Sequence, residues 1–565
     1  MRVANVLPRY LRRGGMIMLV ALLPITANAE TASEADADAV DESAAPASLL
    51  DERLEAASPR LARFYALHGG LPVWQDRAAV TTLVELLEAL EGDGLDPADY
   101  RPERLAREAE AALDPAASEA ARVRFDLDAS RTLLDALTQL QRGRLDPRDV
   151  YPDWEIPVAP PRLDLVGIER AIADGDVETA LALARPEGEE YAGLKRALTR
   201  YRHIAGLGGW PMLPARQAPL RPGHVDEDVA LLRRRLAMIG ELEVMAADVT
   251  HYLPNHPDIA LESPGQHRYD DTLAAAVRRF QRRHMLAEDG VIGPNTRAAL
   301  NVPARVRIEA LRANLERARW LSGERSGWRL EVDLAGQRLD YHRPNGERWG
   351  ARVIVGQPGR ASPVLRSEIT YLTLNPTWTV PPTIMREDVL PAVRRDLDYL
   401  AEHDMEAIDP QGRRLDPEAI DWQRPGAVML RQRAGPRNPL GRLVLRFPND
   451  HLVYLHDTPA RGLFHRPQRA LSSGCIRVEG VADLTRLLIA DSRSAIDLGG
   501  LLATGETRNV SLARPVPLAL HYRTAQGDAS GLASFRPDIY DRDPALIAAL
   551  AGPPTARRVV DPSDR

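Results

Sequence analysis

The only cysteine of this chain lies in a sequence that favours reactive chemistry. Cys475 has no second cysteine to pair with among the 565 residues. Such a thiol is either buried and inert or retained for its reactivity. Ser472, Ser473 and Gly474 form a small polar approach to it, and the glycine lets a substrate backbone come close. Arg477 lies two residues further on and would favour a thiolate, so the setting indicates a nucleophile.

A histidine upstream of this motif would have to reach the thiol through the fold, and the strand pattern predicts how. Apolar and other residues alternate over 443–447 and again over 452–456, with Asn449 beginning a turn signal between them. This is the pattern of a β-hairpin. Alternation places Tyr454 and His456 on one face of the second strand. The polar residues that follow end the strand, so we expect His456 at its rim, where catalytic groups are often presented.

These residues together resemble the signature of a known enzyme family. His456 followed by Ser472-Ser-Gly-Cys-Ile-Arg477 is similar to the motif of the L,D-transpeptidase catalytic domain, a cysteine transpeptidase of bacterial cell-wall peptidoglycan. Many members carry Ser-His-Gly-Cys, whereas this chain has Ser473 where they have the second histidine. In this it resembles the large periplasmic branch. His456 is therefore left as the only histidine that matches the motif.

The resemblance implies a role for each residue of the motif. Cys475 would be the nucleophile and His456 the general acid and base. The hydroxyl of Tyr454 would help to hold an oxyanion together with the backbone N–H of Cys475, or the ring would serve packing alone. The remaining candidate residues for oxyanion or substrate binding are Ser472, Ser473, Gly474, Arg477, Trp378 and Asn438.

The reaction that the resemblance implies is acyl transfer between peptidoglycan stem peptides. The thiolate would attack a tetrapeptide stem, release its terminal D-alanine and form a thioester, and the side-chain amine of a second stem would give a 3→3 crosslink. Two alternatives stay open: a cysteine hydrolase acting on the same stems, and a noncatalytic wall-binding scaffold. No cofactor is expected, because the sequence shows no HExxH motif and no cysteine cluster for a metal. A carbapenem is expected to acylate the thiol.

Composition limits the partners of the chain. Hydrophobic residues at 44% and charged residues at 27% are ordinary for a globular protein, and the formal net charge is −7. A negative chain has no bulk positive field to bring it to phosphates, so no nucleic-acid partner is expected. The expected partners are peptidoglycan stem peptides, with other cell-wall synthesis proteins as further candidates.

The first 29 residues have the pattern of a secretory signal peptide. Arg9, Arg12 and Arg13 precede the apolar run Met16–Ile25, and Ala27-Asn-Ala29 fits a small-residue cleavage site. The run is short for a membrane span. We expect a periplasmic protein, or one tethered to the inner membrane if cleavage fails.

The predicted fold class is a multidomain α+β chain. Leucines at helical spacing predict a helical scaffold, and short alternating strands predict a mainly β sandwich or barrel-like catalytic domain with a helical lid insertion. Ala276–Gln281 and Asp289–Gly293 resemble a small helical peptidoglycan-binding domain. The expected segments are a signal peptide over 1–29, a disordered spacer over 30–48, the scaffold over 49–210, the peptidoglycan-binding-like domain over 218–302, a connecting helix over 303–325, the catalytic domain over 326–505 with a capping insertion over 383–428, and a C-terminal extension over 506–565.

Overall fold

The computed structural model describes residues 49–158, 160–242, 267–322 and 327–553. The expected signal peptide and spacer lie outside these residues. No helix within the described ranges is both long and apolar enough to cross a membrane.

The N-terminal half is helical, and capping side chains mark where its helices begin. Asp76, Ser118 and Asp164 each accept a hydrogen bond from a backbone N–H in the first turn of the helix that follows. Leu83, whose helical spacing predicts burial, is fully buried. These helices are α1 Leu49–Glu55, α2 Pro59–Leu67, α3 Arg77–Ala89, α4 Pro102–Ala112, α5 Glu119–Arg142, α6 Pro147–Val150, α7 Leu165–Ala173, α8 Val177–Ala184 and α9 Glu189–Gly206.

Three further helices and a long connecting helix follow. They are α10 Asp228–Met238, α11 Asp271–Arg283, α12 Pro294–Leu300 and α13 Ala304–Trp320. Val229, Leu232 and Leu236 form the buried face of α10, as their spacing predicts. The connecting helix α13 holds a buried ion pair between Arg319 and Glu316, with 3.0 Å between Nη1 and Oε2.

The C-terminal half is mainly β. Its strands are β1 Arg329–Asp333, β2 Arg338–His342, β3 Arg348–Gly356, β4 Leu365–Leu374, β5 Trp378–Thr379, β6 Met405–Ile408, β7 Met429–Gln432, β8 Leu443–Arg446, β9 Leu455–His456, β10 Ala470–Ser472, β11 Ile476–Val478, β12 Arg508–His521, β13 Ala525–Gly527 and β14 Ala533–Phe535. Its helices are α14 Pro382–Ile384, α15 Leu390–Val393, α16 Tyr399–Glu402, α17 Val481–Asp491, α18 Leu498–Ala503 and α19 Asp543–Ala551.

The main sheet closes on itself and confirms the predicted barrel-like catalytic domain. Its order is β10-β3-β11-β9-β8-β4-β12-β1-β2, and β2 pairs with β3 as well as with β1. The second pairing of β2 completes the ring, and β10 lies outside it against β3. Leu445, Leu455 and Ile476 point into the barrel core, to which α17 adds Leu484 and Leu488.

The predicted boundary between catalytic domain and C-terminal extension at residue 505 is wrong. Strand β12 lies within the predicted extension, and it pairs with β4 on one side and with β1 on the other. Residues 508–521 are therefore needed to close the barrel. The hairpin that follows packs on the scaffold so closely that a Cβ on Gly193 would lie 2.1 Å from the carbonyl oxygen of Gly527.

The capping insertion is larger and less helical than predicted. Strands β5, β7 and β6 form a separate three-stranded sheet, so the insertion extends beyond the predicted range of 383–428 at both ends. Met385–Val389 forms a π-helical turn between α14 and α15. Val380, Leu400 and Leu430 belong to a small core of its own, distinct from the barrel core. The insertion is a compact mixed subdomain.

Candidate active site

The register of two neighbouring strands brings the predicted cysteine and histidine together. Strand β11 pairs in parallel with β9, with Ile476 opposite Leu455 and Arg477 opposite His456. The residue before this pair, Cys475, therefore lies beside the residue before Leu455, which is Tyr454. Because side chains alternate along a strand, the thiol, the phenol, the imidazole and the guanidinium share the face away from the barrel core.

The Cys475 thiol is protonated at rest, contrary to the expectation from Arg477. Burial raises the pKa of the thiol. Hydrogen bonds from the backbone N–H and the hydroxyl of Tyr454 lower that pKa, as do the charges of Arg446 and Arg477, but burial outweighs them. The thiol donates a long hydrogen bond to the carbonyl oxygen of Leu452, with 3.9 Å between Sγ and O. A base is therefore needed to generate the nucleophile.

His456 is buried and held in a single orientation as a neutral base. Its Nδ1 lies 2.6 Å from the carbonyl oxygen of Asp457. A carbonyl oxygen only accepts, so Nδ1 carries the proton and Nε2 is the basic nitrogen. Burial, reinforced by the charge of Arg477, lowers the pKa of His456 to about 3. At neutral pH the pair is therefore a neutral thiol and a neutral imidazole.

A backbone group orients His456, and no sequence signal could have identified it. Asp457 is fixed by its own N–H, which donates to the carbonyl of Leu443 at 2.9 Å, and by its Oδ2, which accepts from the N–H of Arg442 at 3.0 Å. Gly441 has a φ of +59° beside it, and a Cβ there would lie 2.4 Å from Oδ2 of Asp457. Only glycine lets the backbone at position 441 come this close to Asp457. Gly441 therefore helps to fix the Asp457 carbonyl that orients His456.

Tyr454 stands between the thiol and a cation. Its ring centroid lies 5.7 Å from that of His456 and 4.4 Å from the guanidinium carbon of Arg446. Burial and the neighbouring Cys475 raise the pKa of the phenol. The hydroxyl therefore stays protonated and can donate a hydrogen bond beside the thiol. The sequence pattern did not indicate that Arg446 contacts this ring.

The residues before Cys475 build the turn that presents it. The Ser472 hydroxyl donates to the carbonyl of Cys475 and accepts from the N–H of Gly474, so it shapes the turn from within. Gly474 has a φ of +110°, which favours glycine. Ser473 is exposed, and its Oγ accepts a hydrogen bond from Nη1 of Arg360 at 2.9 Å.

Two of the predicted substrate-binding residues serve other parts of the structure. Asn438 is buried, and its amide nitrogen donates to the carbonyls of Pro376 and Arg433, both at 3.0 Å. The amide therefore stabilises its own loop. Trp378 lies on β5 and packs on the core of the insertion. By contrast, the buried Nε of Arg477 has no acceptor among the residues that the structure describes.

The strand that carries His456 is shorter than predicted, because the preceding loop folds around Asn449. The Asn449 amide nitrogen donates to the carbonyl of Val453, and its Oδ1 accepts from the N–H groups of His451 and Val453. This leaves Leu452 with a φ of +56° and its side chain 75% exposed. The turn points the carbonyl oxygen of Leu452 at the thiol. The alternation of apolar residues in the sequence does not indicate this contact.

Acid should destabilise the protein through His456. Its pKa is lowered from 6.5 to about 3 by folding, so the unfolded chain binds one more proton between these values. Stability is therefore retained above pH 6.5 and lost as the pH falls toward 3. We expect His456→Gln to reduce the pH dependence of the unfolding free energy in this window by up to about 1.4 kcal/mol per pH unit. Urea unfolding of both proteins across the window measures this, and equal slopes would contradict a buried neutral imidazole.

Comparison with protein families matches three consecutive parts of the chain. Residues 59–198 match the "Scaffold domain", residues 226–300 match the "Putative peptidoglycan binding domain" and residues 327–490 match the "L,D-transpeptidase catalytic domain". Both Cys475 and His456 fall within the third match.

Individual relatives cover parts of the chain. A "Putative L,D-transpeptidase" of Haemophilus influenzae is 34% identical over 239 residues, which are 42% of this chain and 48% of that protein. The chain thus spans about half the length of this relative. The crystal structure of the L,D-transpeptidase from Xylanimonas cellulosilytica covers 55% of this chain and 99% of its own, with 17% identity and a TM-score of 0.16, too low to bear on the fold. The order of the three matches confirms the predicted resemblance: the chain carries, in this order, a scaffold domain, a peptidoglycan-binding-like domain and an L,D-transpeptidase catalytic domain.

Proposed function

We propose that the protein is a peptidoglycan L,D-transpeptidase that forms 3→3 crosslinks through a thioester on Cys475. The observation that supports this most strongly is the placement of Cys475 and His456 on adjacent paired strands and on one face. The Nδ1–H of His456 is engaged by the Asp457 carbonyl, which leaves Nε2 as the base. A thiol and a fixed neutral imidazole are the two groups that cysteine acyl transfer requires.

In the proposed first step, the thiol attacks the carbonyl carbon of the third residue of a tetrapeptide stem. The Sγ proton passes to Nε2 of His456 as the S–C bond forms. The Tyr454 hydroxyl and the Cys475 backbone N–H donate to the oxyanion. The imidazolium then returns the proton to the departing amine as the C–N bond breaks, which releases D-alanine and leaves a thioester.

In the second step, the side-chain amine of another stem attacks the thioester carbonyl. His456 accepts the proton of the attacking amine as the new C–N bond forms, and it returns that proton to the departing sulfur as the S–C bond breaks, which regenerates the thiol. The buried Nε of Arg477, together with its charge, suits a carbonyl or carboxylate oxygen of the stem.

Mass analysis of products from a purified disaccharide-tetrapeptide tests this function. We expect a crosslinked dimer, with one D-alanine released for each thioester that forms. A tripeptide monomer alone would replace the proposal with a cysteine hydrolase on the same stems. Unchanged substrate would support the third alternative, a noncatalytic wall-binding scaffold.

The proposed setting is the periplasm, with the domain matched over 226–300 contacting the wall. Two arginines at the end of α11 are already paired with carboxylates, so they are less available to acidic stem peptides. Arg283 contacts Glu241 at 3.0 Å and Asp528 at 2.8 Å, and Arg282 contacts Glu288 at 2.8 Å. Wall contact through other surfaces of this domain, and other cell-wall synthesis proteins as partners, remain part of the proposal.

A further inference from the structure

The loop that follows β3 is bonded directly to the turn that carries the thiol. The N–H of Gln357 donates to the carbonyl of Ser472 at 2.9 Å. The Ser362 hydroxyl donates to the carbonyl of Gly474 at 2.7 Å. Hydrogen bonds thus join the loop 357–362 to the turn 472–474 on both sides of Ser473. A displacement of the loop would therefore also move the turn.

Arg360, in the middle of this loop, connects the turn to the capping insertion. Its Nη1 lies 2.9 Å from Oγ of Ser473 and 2.7 Å from Oδ2 of Asp388. Its Nη2 lies 2.7 Å from Oε2 of Glu387 and 3.2 Å from Oδ1 of Asp388. One guanidinium therefore bridges two carboxylates of the insertion to a serine two residues from the nucleophile.

The backbone of the insertion is shaped to present these two carboxylates. Glu387 and Asp388 are consecutive residues of the π-helical turn, whose other face buries Met385 and Val389 in the core of the insertion. Single π-helical turns are rare and often occur at functional sites. The π-helical turn directs the carboxylates of Glu387 and Asp388 toward the Arg360 guanidinium, while Met385 and Val389 stay packed in the core of the insertion.

We infer that Arg360 is a positioning residue that holds the capping insertion against the catalytic turn and so controls access to Cys475. While the guanidinium bridges Glu387 and Asp388 to Ser473, the insertion stays closed beside the thiol. Breaking the contacts with the two carboxylates lets the insertion move away without disturbing the turn. The inference rests on the proposed function for its biological meaning, but the contacts themselves do not depend on the substrate.

The exposure of the carboxylates indicates a contact that can open. The side chains of Glu387 and Asp388 are 43% and 50% exposed, whereas that of Arg360 is 19% exposed. Ion pairs of this kind are weakened by solvent and by salt. The interaction is therefore strong enough to favour a closed insertion and weak enough to be exchanged during turnover.

The rate at which Cys475 is alkylated by iodoacetamide measures this access in the full protein without substrate. We expect the double variant Glu387→Gln/Asp388→Asn to react about three- to tenfold faster than the wild type. Both substitutions keep side-chain size and leave the Arg360–Ser473 hydrogen bond in place. The increase should appear as a higher rate plateau at alkaline pH, where the thiol is fully ionised and the rate measures access alone. An unchanged plateau, with faster alkylation only because the midpoint shifts, would mean that the carboxylates act on the thiol's pKa, which would overturn the inference.

The matched control is Arg413→Gln, which removes an exposed ion pair with Asp409 in the same insertion and should keep the wild-type rate. Raising the salt concentration from ~0.05 to ~0.5 M should accelerate alkylation of the wild type and of this control but not of the double variant. A wild-type rate that does not respond to salt, or a double variant no faster than the control, would also overturn the inference. Failure of crosslinking alone would count only against the proposed function.

Discussion

Replacing Cys475 by alanine should abolish acyl transfer to stem peptides. The chain contains no second cysteine, so no other thiol can form the thioester. Loss of a covalent nucleophile typically lowers kcat by roughly 10⁴- to 10⁶-fold. Mass analysis of disaccharide-tetrapeptide products should then show neither dimer nor released D-alanine.

Cys475→Ser is the matched control, because it keeps the size and hydrogen-bonding capacity of the side chain. We expect it to fold as the wild type does and still to lose most of the activity, since a hydroxyl is a far weaker nucleophile near neutral pH than a thiol. A carbapenem should add its mass to the wild type but not to Cys475→Ala. Residual crosslinking by the alanine variant at more than about 1% of the wild-type rate would disprove the assignment of the nucleophile.

Much of the placement of Cys475 and His456 could be predicted from sequence because it depends on short-range patterns. Strand alternation places Tyr454 and His456 on one face, and the antiparallel pairing of β8 with β9 places Val444 opposite His456. The motif around Cys475 is contiguous, so it could be identified without knowing the fold. The register between β9 and β11, which brings the two together, is set by a pairing of distant segments that sequence patterns do not contain.

The parts of the site that escaped prediction depend on backbone groups and on distant segments. The Asp457 carbonyl orients His456, and the Leu452 carbonyl contacts the thiol. Because every residue has a backbone carbonyl, the sequence does not indicate which of them will make such contacts. The pKa of the Cys475 thiol depends on how completely the thiol is buried. The sequence shows that Arg477 is near, but it does not show the extent of this burial. The place of β12 in the barrel escaped prediction because its partners β1 and β4 lie more than a hundred residues earlier.

His456→Ala should lose activity to nearly the same extent as Cys475→Ala. Burial raises the pKa of the thiol, so little thiolate forms at neutral pH unless a base accepts the proton. The double variant should be scarcely worse than either single variant, because residues that act as one unit contribute non-additively. Kinetics of dimer formation by the three variants measures this, and a double variant whose loss equals the product of the two single losses would contradict a shared role.

The matched control is His465→Ala, which removes an exposed histidine of the segment Arg461–His465, between His456 and Cys475 in sequence. It should retain most of the activity. The wild-type profile of kcat/KM should also lack an acid limb near pH 6.5, because the pKa of His456 is lowered to about 3. If His465→Ala were inactive while His456→Ala still turned over, the base would be the exposed histidine. The barrel strand that carries His456 would then serve only to support the site.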